Sequence, residues 1–330
     1  LAQFVFAVIN NLEFIKRSDQ MKALLLVKPK PEELQRLDQQ FPSVSFSTDT
    51  KIAGEAEIVL GWDKTLAQQF LKGHHLKWVQ AKSAGIDYFP LEKFKERKIL
   101  LTNASGLHSR YIAETVTGYI LMENRGFRES FKRPQTWLTP EVLEAREQVA
   151  LILGTGKIGR EIARYCRFLG MQVIGVNRHG MDSHLVDVFD DVISIKNFQT
   201  AGYQTKINYL ISTLPGTPET KHFLNAKVFR KIAPGYTFIN VGRGNTLVED
   251  DLLELVDESW VRSAYLDVFE HEPLEAFSRL WHHDKIVITP HIAGQIPHFR
   301  AALYPLFATN LDNYLTGKPM HNLVDLRAGY

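Results

Sequence analysis

The chain has 330 residues, long for a single compact core and suited to two domains, and its composition is that of an ordinary soluble globular enzyme. A formal charge of +2 without long basic runs gives no support to a nucleic-acid or membrane-surface partner, and no apolar stretch is long enough to span a bilayer. The only cysteine, Cys166, rules out an intrachain disulfide, and the cytoplasm is the expected compartment.

Residues 1–20 are read as an extension outside the first domain's essential fold. The apolar stretch Phe4 to Ile9 has no basic segment before it and no small-residue cleavage site after it, which argues against a secretory signal. From Met21 short apolar runs alternate with helical segments: Ala23 to Val27, Pro31 to Phe41, Ala56 to Leu60, Lys77 to Gln80 and Ile99 to Thr102. That alternation predicts a small parallel α/β unit. A helix over about Ser109 to Met122 follows, with Ile112, Val116, Tyr119 and Ile120 as its buried stripe.

A second α/β unit runs from about Val149 to His291. Its expected strands are Ala150–Leu153, Val173–Val176, Tyr209–Thr213, Thr237–Val241, Ser263–Val268 and Ile286–Thr289, enough for a doubly wound parallel sheet. Pro297 to Leu315 is again helical and belongs with the first unit. The expected architecture is therefore two Rossmann-like or flavodoxin-like parallel-sheet domains. Residues 21–112 and 297–330 form a substrate-binding domain, residues 113–296 form an inserted dinucleotide-binding domain, and the two crossings act as hinges beside a cleft.

The turn Gly154-Thr-Gly156-Lys157-Ile158-Gly159 carries the cofactor expectation. A Gly-x-Gly-x-x-Gly string alone is weak, but here it joins the apolar run Val149–Leu153 to a helix, with a second strand at the right distance. The first glycine makes the turn, the second lets backbone approach a pyrophosphate, and the third allows close helix packing. Cys166 lies on the following helix with Ile162, Ala163 and Leu169, the pattern of a buried structural thiol. The next strand ends in Asn177-Arg178, where an acidic residue normally meets the ribose hydroxyls. Asn177 removes the repulsion of a ribose phosphate and Arg178 can receive its charge, so NADP(H) is favoured and NAD(H) remains the alternative.

Three downstream strings place polar residues at strand ends: Ile239-Asn-Val-Gly-Arg243-Gly, Leu266-Asp267-Val-Phe-Glu-His-Glu272-Pro and Thr289-Pro-His291. Taken one at a time, Arg243 caps a strand end, Glu272 begins a turn and His291 is a loop histidine. In this order behind the glycine turn, and with Ser83-Ala-Gly-Ile-Asp87, Asn103-Ala-Ser-Gly106 and Ile112-Ala-Glu114, the strings resemble the D-isomer-specific 2-hydroxyacid dehydrogenase family over about Met21 to Val324. The resemblance implies an NAD(P)-dependent oxidoreductase interconverting a 2-oxo acid and a D-2-hydroxy acid, and a homodimer.

By that resemblance Arg243 holds the substrate carboxylate and polarises its carbonyl, His291 exchanges the hydroxyl proton, and Glu272 pairs with His291. Asp267 matches a position near the nicotinamide amide. Gly154, Gly156, Lys157, Ile158, Asn177, Arg178, Leu214, Pro215 and Asp267 form the expected cofactor set, and the backbone of Ala84 and Gly85 the substrate-carboxylate edge. Lys82 adds charge there or is simply a solvated loop lysine. His271, His282 and His283 match no zinc spacing, and no metal is expected. After His291, Ala293-Gly-Gln-Ile296 departs from the family pattern.

Glyoxylate and hydroxypyruvate are the first substrates to expect. A short phosphoglycerate dehydrogenase and a dinucleotide-responsive interaction protein of corepressor type are the alternatives.

Overall fold

A computed structural model describes residues 20–132, 137, 139–201 and 206–327. Residues 1–19, most of the extension expected at the N-terminus, lie outside the described residues. Two compact units emerge: the described residues up to Leu107 together with those from Pro297 onward, and His108–Ile296.

In the first unit β1 (Met21–Leu25), β2 (Val44–Ser47), β3 (Ile58–Leu60), β4 (Trp78–Gln80) and β5 (Leu100–Thr102) form a wholly parallel sheet of order β2-β1-β3-β4-β5. This is the flavodoxin-like doubly wound order. β2 was absent from the sequence-based expectation. As an edge strand with only Val44 buried, Val-Ser-Phe-Ser lacks the continuous apolar run of an interior parallel strand.

The helix Phe299–Thr316 closes this unit from the far end of the chain. Phe307 and Tyr314 stack on Trp78 with ring centroids 5.4 and 5.6 Å away, and the buried Asn310 donates to Gln80 Oε1 at 2.9 Å. Beyond the helix, Val324 N–H donates to Leu101 O, so the return segment also bonds to the sheet backbone. The helix starts two residues after Pro297, with His298 at its N-cap.

The second unit holds β6 (Val149–Leu153), β7 (Gln172–Asn177), β8 (Asp191–Ser194), β9 (Tyr209–Ser212), β10 (Tyr236–Asn240), β11 (Val261–Leu266) and β12 (Ile286–Ile288). All pairs are parallel, in the order β12-β11-β10-β9-β6-β7-β8. The winding reverses between β6 and β9, which places a ligand crevice at the carboxyl end of β6. Seven strands replace the six expected. The addition is β8, another edge strand, whose Asp191 and Ser194 flank only two apolar residues.

Alternation along β6 explains its unbroken apolar sequence. Leu151 and Leu153 join one core with Ile174, Leu210 and Phe238, while Ala150 and Ile152 join the core on the opposite face with Val173, Tyr209 and Ile239. A parallel strand covered on both faces has no position for a solvated side chain. The second core also holds the stripe Ile112, Val116, Tyr119 and Ile120 of the helix Ser109–Asn124, packed with Ile162, Ala163 and Cys166 of the helix Lys157–Phe168. Burial pushes the Cys166 thiol up to about 12, the signature of an inert core thiol. Among the described residues no helix is long and apolar enough to cross a membrane.

Candidate active site

The chain leaves β6 through Gly154, whose φ of 101° lies in the left-handed region that favours glycine. Gly156 then serves as N-cap of the helix Lys157–Phe168, with φ −71° and ψ −169°, a conformation open to any residue. A Cβ there meets nothing within 4 Å, so its smallness leaves room for something outside the chain. Gly159 differs: a Cβ would lie 1.9 Å from Gly154 O. The helix therefore sits directly against the turn, with no side chain capping its first amides and no acidic residue in its first turn. Lys157 begins that turn. Burial, then the nearby charge of Arg160, holds its ammonium below the usual lysine range. A helix N-terminus already crowded with positive charge is suited to a polyanion.

Asn177 ends β7 and organises the turn beyond it. Its Oδ1 accepts from His179 N–H at 2.8 Å and Gly180 N–H at 2.6 Å, while Nδ2 donates to Thr155 Oγ1 at 3.0 Å. The side chain thus ties the second strand to the glycine turn, and Arg178 emerges from the constrained loop. Across from it, hydrogen bonds from the Glu219 backbone and Thr217 hold the Glu219 carboxyl below its usual range, with a smaller pull from Arg178. Leu214 packs against the first core of this unit, and Pro215 follows it exposed after β9. Ile158 is half-buried behind the turn.

Arg243, Glu272, Asp267 and His291 all follow the carboxyl ends of β10, β11 and β12, and hydrogen bonds tie their loops together. Gly242 N–H donates to Asn240 Oδ1 at 3.2 Å and Thr246 Oγ1 donates to Arg243 O at 2.6 Å, fixing the Arg243 backbone. Its guanidinium, half-buried, donates to Gly242 O at 2.9 Å. Glu272 accepts on both oxygens: Phe269 N–H reaches Oε1 at 3.0 Å and His291 Nδ1 lies 2.7 Å from Oε2. A carboxylate can only accept, so Nδ1 carries the hydrogen and Nε2 is the nitrogen that can exchange a proton with a ligand.

His291 has φ 53°, held by its N–H bonded to Asp267 O at 2.9 Å and Thr289 O at 3.0 Å. Asp267 is buried, and its carboxylate accepts from Thr289 Oγ1 at 2.6 Å, Ile292 N–H at 2.9 Å and Ala293 N–H at 3.0 Å. Expected beside the nicotinamide amide, Asp267 directs both carboxylate oxygens into the loop that carries His291. Tyr119 OH adds a bond to Thr289 Oγ1 at 2.6 Å, and burial pushes its phenol up to about 12.

The departure at Ala293–Ile296 is also accommodated: Gly294 O pairs with His108 Nδ1 at 2.7 Å and Ala293 O with Thr115 Oγ1 at 3.3 Å. The sequence does not announce Thr246 at all, and it places Tyr119 only in the buried stripe and Asn240 and Thr289 only within strand-end strings, not as supports of these loops. A polar residue ending an apolar strand, as in Ile239-Asn240-Val241, was the one signal available.

Ala84 and Gly85 belong to the first unit. Asn103 Nδ2 donates to Ala84 O at 2.9 Å, and Ser83 Oγ donates to Gly85 O at 2.7 Å, so the loop's carbonyls are tied back. Lys82 is exposed. Of the histidines set aside, His283 pairs with Asp257 at 3.1 Å. Among the described residues no three His, Cys, Asp or Glu side chains are placed to hold a metal ion.

An imidazole backed by a carboxylate, an arginine on the adjacent loop and an uncapped glycine-turn helix are the elements from which carbonyl reduction with a dinucleotide can be built. Comparison with known proteins decides the family. Residues 118–293 match the family model described as D-isomer specific 2-hydroxyacid dehydrogenase, NAD binding domain.

The chain belongs to the D-isomer specific 2-hydroxyacid dehydrogenase family.

As a D-isomer specific 2-hydroxyacid dehydrogenase it is an NAD(P)-dependent oxidoreductase. It is 32% identical to glyoxylate/hydroxypyruvate reductase A of Serratia proteamaculans over 224 residues, covering 67% of this chain and 69% of that one. Among solved structures it resembles the NADPH-dependent glyoxylate/hydroxypyruvate reductase of Sinorhizobium meliloti in complex with NADP and sulfate. That match has a TM-score of 0.78 and 27% identity over 94% of this chain and all (100%) of the other. Phosphoglycerate dehydrogenase from Lactobacillus plantarum is 32% identical over 92% of this chain and 100% of its own, with a TM-score of 0.55.

Proposed function

We propose that this dehydrogenase reduces a small 2-oxo acid, glyoxylate or hydroxypyruvate first among them, to the D-2-hydroxy acid with NADPH as preferred reductant. The His291–Glu272 pair at 2.7 Å, beside the loop of Arg243, carries the reading. Arg243 is assigned the carboxylate, where a guanidinium can present two parallel donors, and the polarisation of the carbonyl. When bound, the reduced nicotinamide supplies the hydride to the carbonyl carbon. His291 Nε2 gives its proton to the carbonyl oxygen, and Glu272 stabilises the imidazolium before that transfer. Ala84 and Gly85 are assigned to the substrate carboxylate on the family resemblance.

The open face of Gly156 and the uncapped amides of the helix at Lys157 fit a pyrophosphate. Leu214 and Pro215 remain assigned to the cofactor, as does Asp267 through the loop it anchors. Gly156→Val is expected to lower the melting temperature only slightly, by the loss of a favourable N-cap residue, and to raise the dinucleotide Kd by roughly tenfold or more. Gly159→Ala is expected to lower the melting temperature by more. Calorimetry and NADPH fluorescence titration separate the two, and intact binding by Gly156→Val sinks the cradle.

NADP(H) preference rests on Asn177, which holds the turn in place of an acid, and on Arg178. A charge-assisted bond to a ribose phosphate contributes about 1.5–3 kcal/mol, so Arg178→Ala is expected to raise KM for NADPH by roughly tenfold to a hundredfold while leaving KM for NADH nearly unchanged. Equal losses with both cofactors refute the assignment. NADPH and NADH oxidation over glyoxylate, hydroxypyruvate, pyruvate and larger or phosphorylated 2-oxo acids tests reaction, cofactor and substrate together. Faster turnover of a phosphorylated acid would favour phosphoglycerate dehydrogenase. A homodimer in the cytoplasm completes the proposal, its assembly to be measured by sedimentation equilibrium.

A further inference from the structure

His222 lies outside the set Arg243, Glu272 and His291, yet it touches both loops on which that set is built. Its N–H donates to Asn245 O at 2.9 Å, two residues after Arg243, and the same stretch continues with Leu224 N–H on Thr246 O at 2.8 Å. Its ring reaches the other way. Nε2 lies 3.0 and 3.1 Å from the two oxygens of Glu270, two residues before Glu272.

The backbone at His222 has φ 52°, a left-handed conformation uncommon for a residue other than glycine, asparagine or aspartate. Asn225 Nδ2 donates to His222 O at 2.9 Å and closes that turn. Glu270 is fixed from a second side, since its N–H donates to Glu249 Oε1 at 3.2 Å. The neighbouring Phe269 N–H is the donor that aligns Glu272 Oε1. The two loops also meet directly: a Cβ on Gly244 would lie 1.8 Å from the Phe269 carbonyl carbon. No side chain fits in that seam, so the Arg243 loop lies directly against the loop that leads to Glu272.

We propose that His222 is a positioning residue for 2-oxo acid reduction, strapping the Arg243 loop to the Glu272 loop through Glu270 so that guanidinium and imidazole keep one separation. The strap fits the chemistry, because one substrate has to meet Arg243 and His291 at once and small misplacements of reacting groups cost rate steeply. A pair this exposed contributes little to global stability. Its effect therefore falls on the geometry of the transition state. The proposal rests on Arg243, Glu272 and His291 being the reacting set.

The test is steady-state kinetics with glyoxylate and NADPH for the full chain and for His222→Asn, Glu270→Gln, their double variant and His291→Asn. Asparagine tolerates positive φ, so His222→Asn keeps the turn, and Glu270→Gln alters the strap without touching that backbone. Each single substitution is expected to lower kcat roughly tenfold. KM for NADPH is expected to stay within about twofold, and the double variant to be no slower than the slower single.

A kcat within about twofold of the parent for both single variants overturns the strap, as does a double-variant loss equal to the product of the two single losses. Matching changes in KM for NADPH and kcat overturn it too, since they signal general damage. If the parent turns over no 2-oxo acid, or His291→Asn retains its rate, the reacting set itself is wrong and the strap falls with it.

Discussion

His291→Asn is expected to lose roughly a hundredfold to ten-thousandfold in kcat for 2-oxo acid reduction, the range that a positioned general acid supplies. The substitution is chosen for its backbone. Residue 291 sits at φ 53°, where asparagine is tolerated, and its N–H bonds to Asp267 O and Thr289 O do not depend on the side chain. The loop therefore keeps its path, and the bonds from Ile292 and Ala293 N–H to the Asp267 carboxylate stay in place.

What is lost is the proton at Nε2 and the partner of Glu272 Oε2, because an amide cannot become a cation that donates to a developing alkoxide. Cofactor affinity is expected to stay within about twofold, since the glycine turn and Arg178 lie at the ends of other strands. Stopped-flow NADPH oxidation with fluorescence titration reads both quantities. Unchanged turnover removes His291 from the reaction, and an equal loss of cofactor binding shows that the loop itself has moved.

Glu123→Gln is expected to cost about 3 kcal/mol of stability near neutral pH. Glu123 is buried in the helix Ser109–Asn124. It meets Arg128 Nε at 3.1 Å, accepts from Tyr265 OH at 2.8 Å and faces Arg262 Nε at 3.5 Å. Burial alone would raise its carboxyl. The Arg128 charge, the Tyr265 and Arg128 hydrogen bonds and the Arg262 charge outweigh that and hold it below the ordinary 4.5.

A carboxyl lowered in the folded state adds stability above the unfolded value of 4.5, and that stability is lost as pH falls through the lower folded value. The difference between parent and variant should therefore be full at pH 7 and close progressively below about pH 4. Removing the anion leaves Arg128, itself largely buried, with the more exposed Glu129 as its counter-charge among the described residues. Urea unfolding of both proteins at the two pH values checks the sign. A gap that widens in acid contradicts the assignment.

How much of this was legible in the sequence varies with how local each signal is. Val149–Leu153 and the glycine turn announce a buried parallel strand entering a helix because the strand's two-sided burial and the turn's backbone demands are written in consecutive residues. Val44–Ser47 and Asp191–Ser194 escaped for the opposite reason: each is a sheet edge, half solvated, and its strand state comes from pairing with β1 or β7. Arg243, Glu272 and His291 are proposed as a set from the sequence, because strand ends carry ligand contacts and their order resembles that of a family.

The supports of that set were not readable. Asp267 was assigned to the cofactor, and that it also anchors the His291 loop depends on where Thr289, Ile292 and Ala293 turn. His222 and Glu270 are 48 residues apart, and nothing in Lys221-His222-Phe223 announces the positive φ that points the ring at its partner.

Cys166 has a practical consequence. It is the chain's only sulfhydryl, sealed between the helix Lys157–Phe168 and the sheet with its thiolate form suppressed. The protein thus arrives as a blank for site-directed labelling, since a cysteine introduced on any exposed loop will carry a dye or spin probe alone. Any alkylation of Cys166 itself then becomes a clock for how often the dinucleotide unit breathes open.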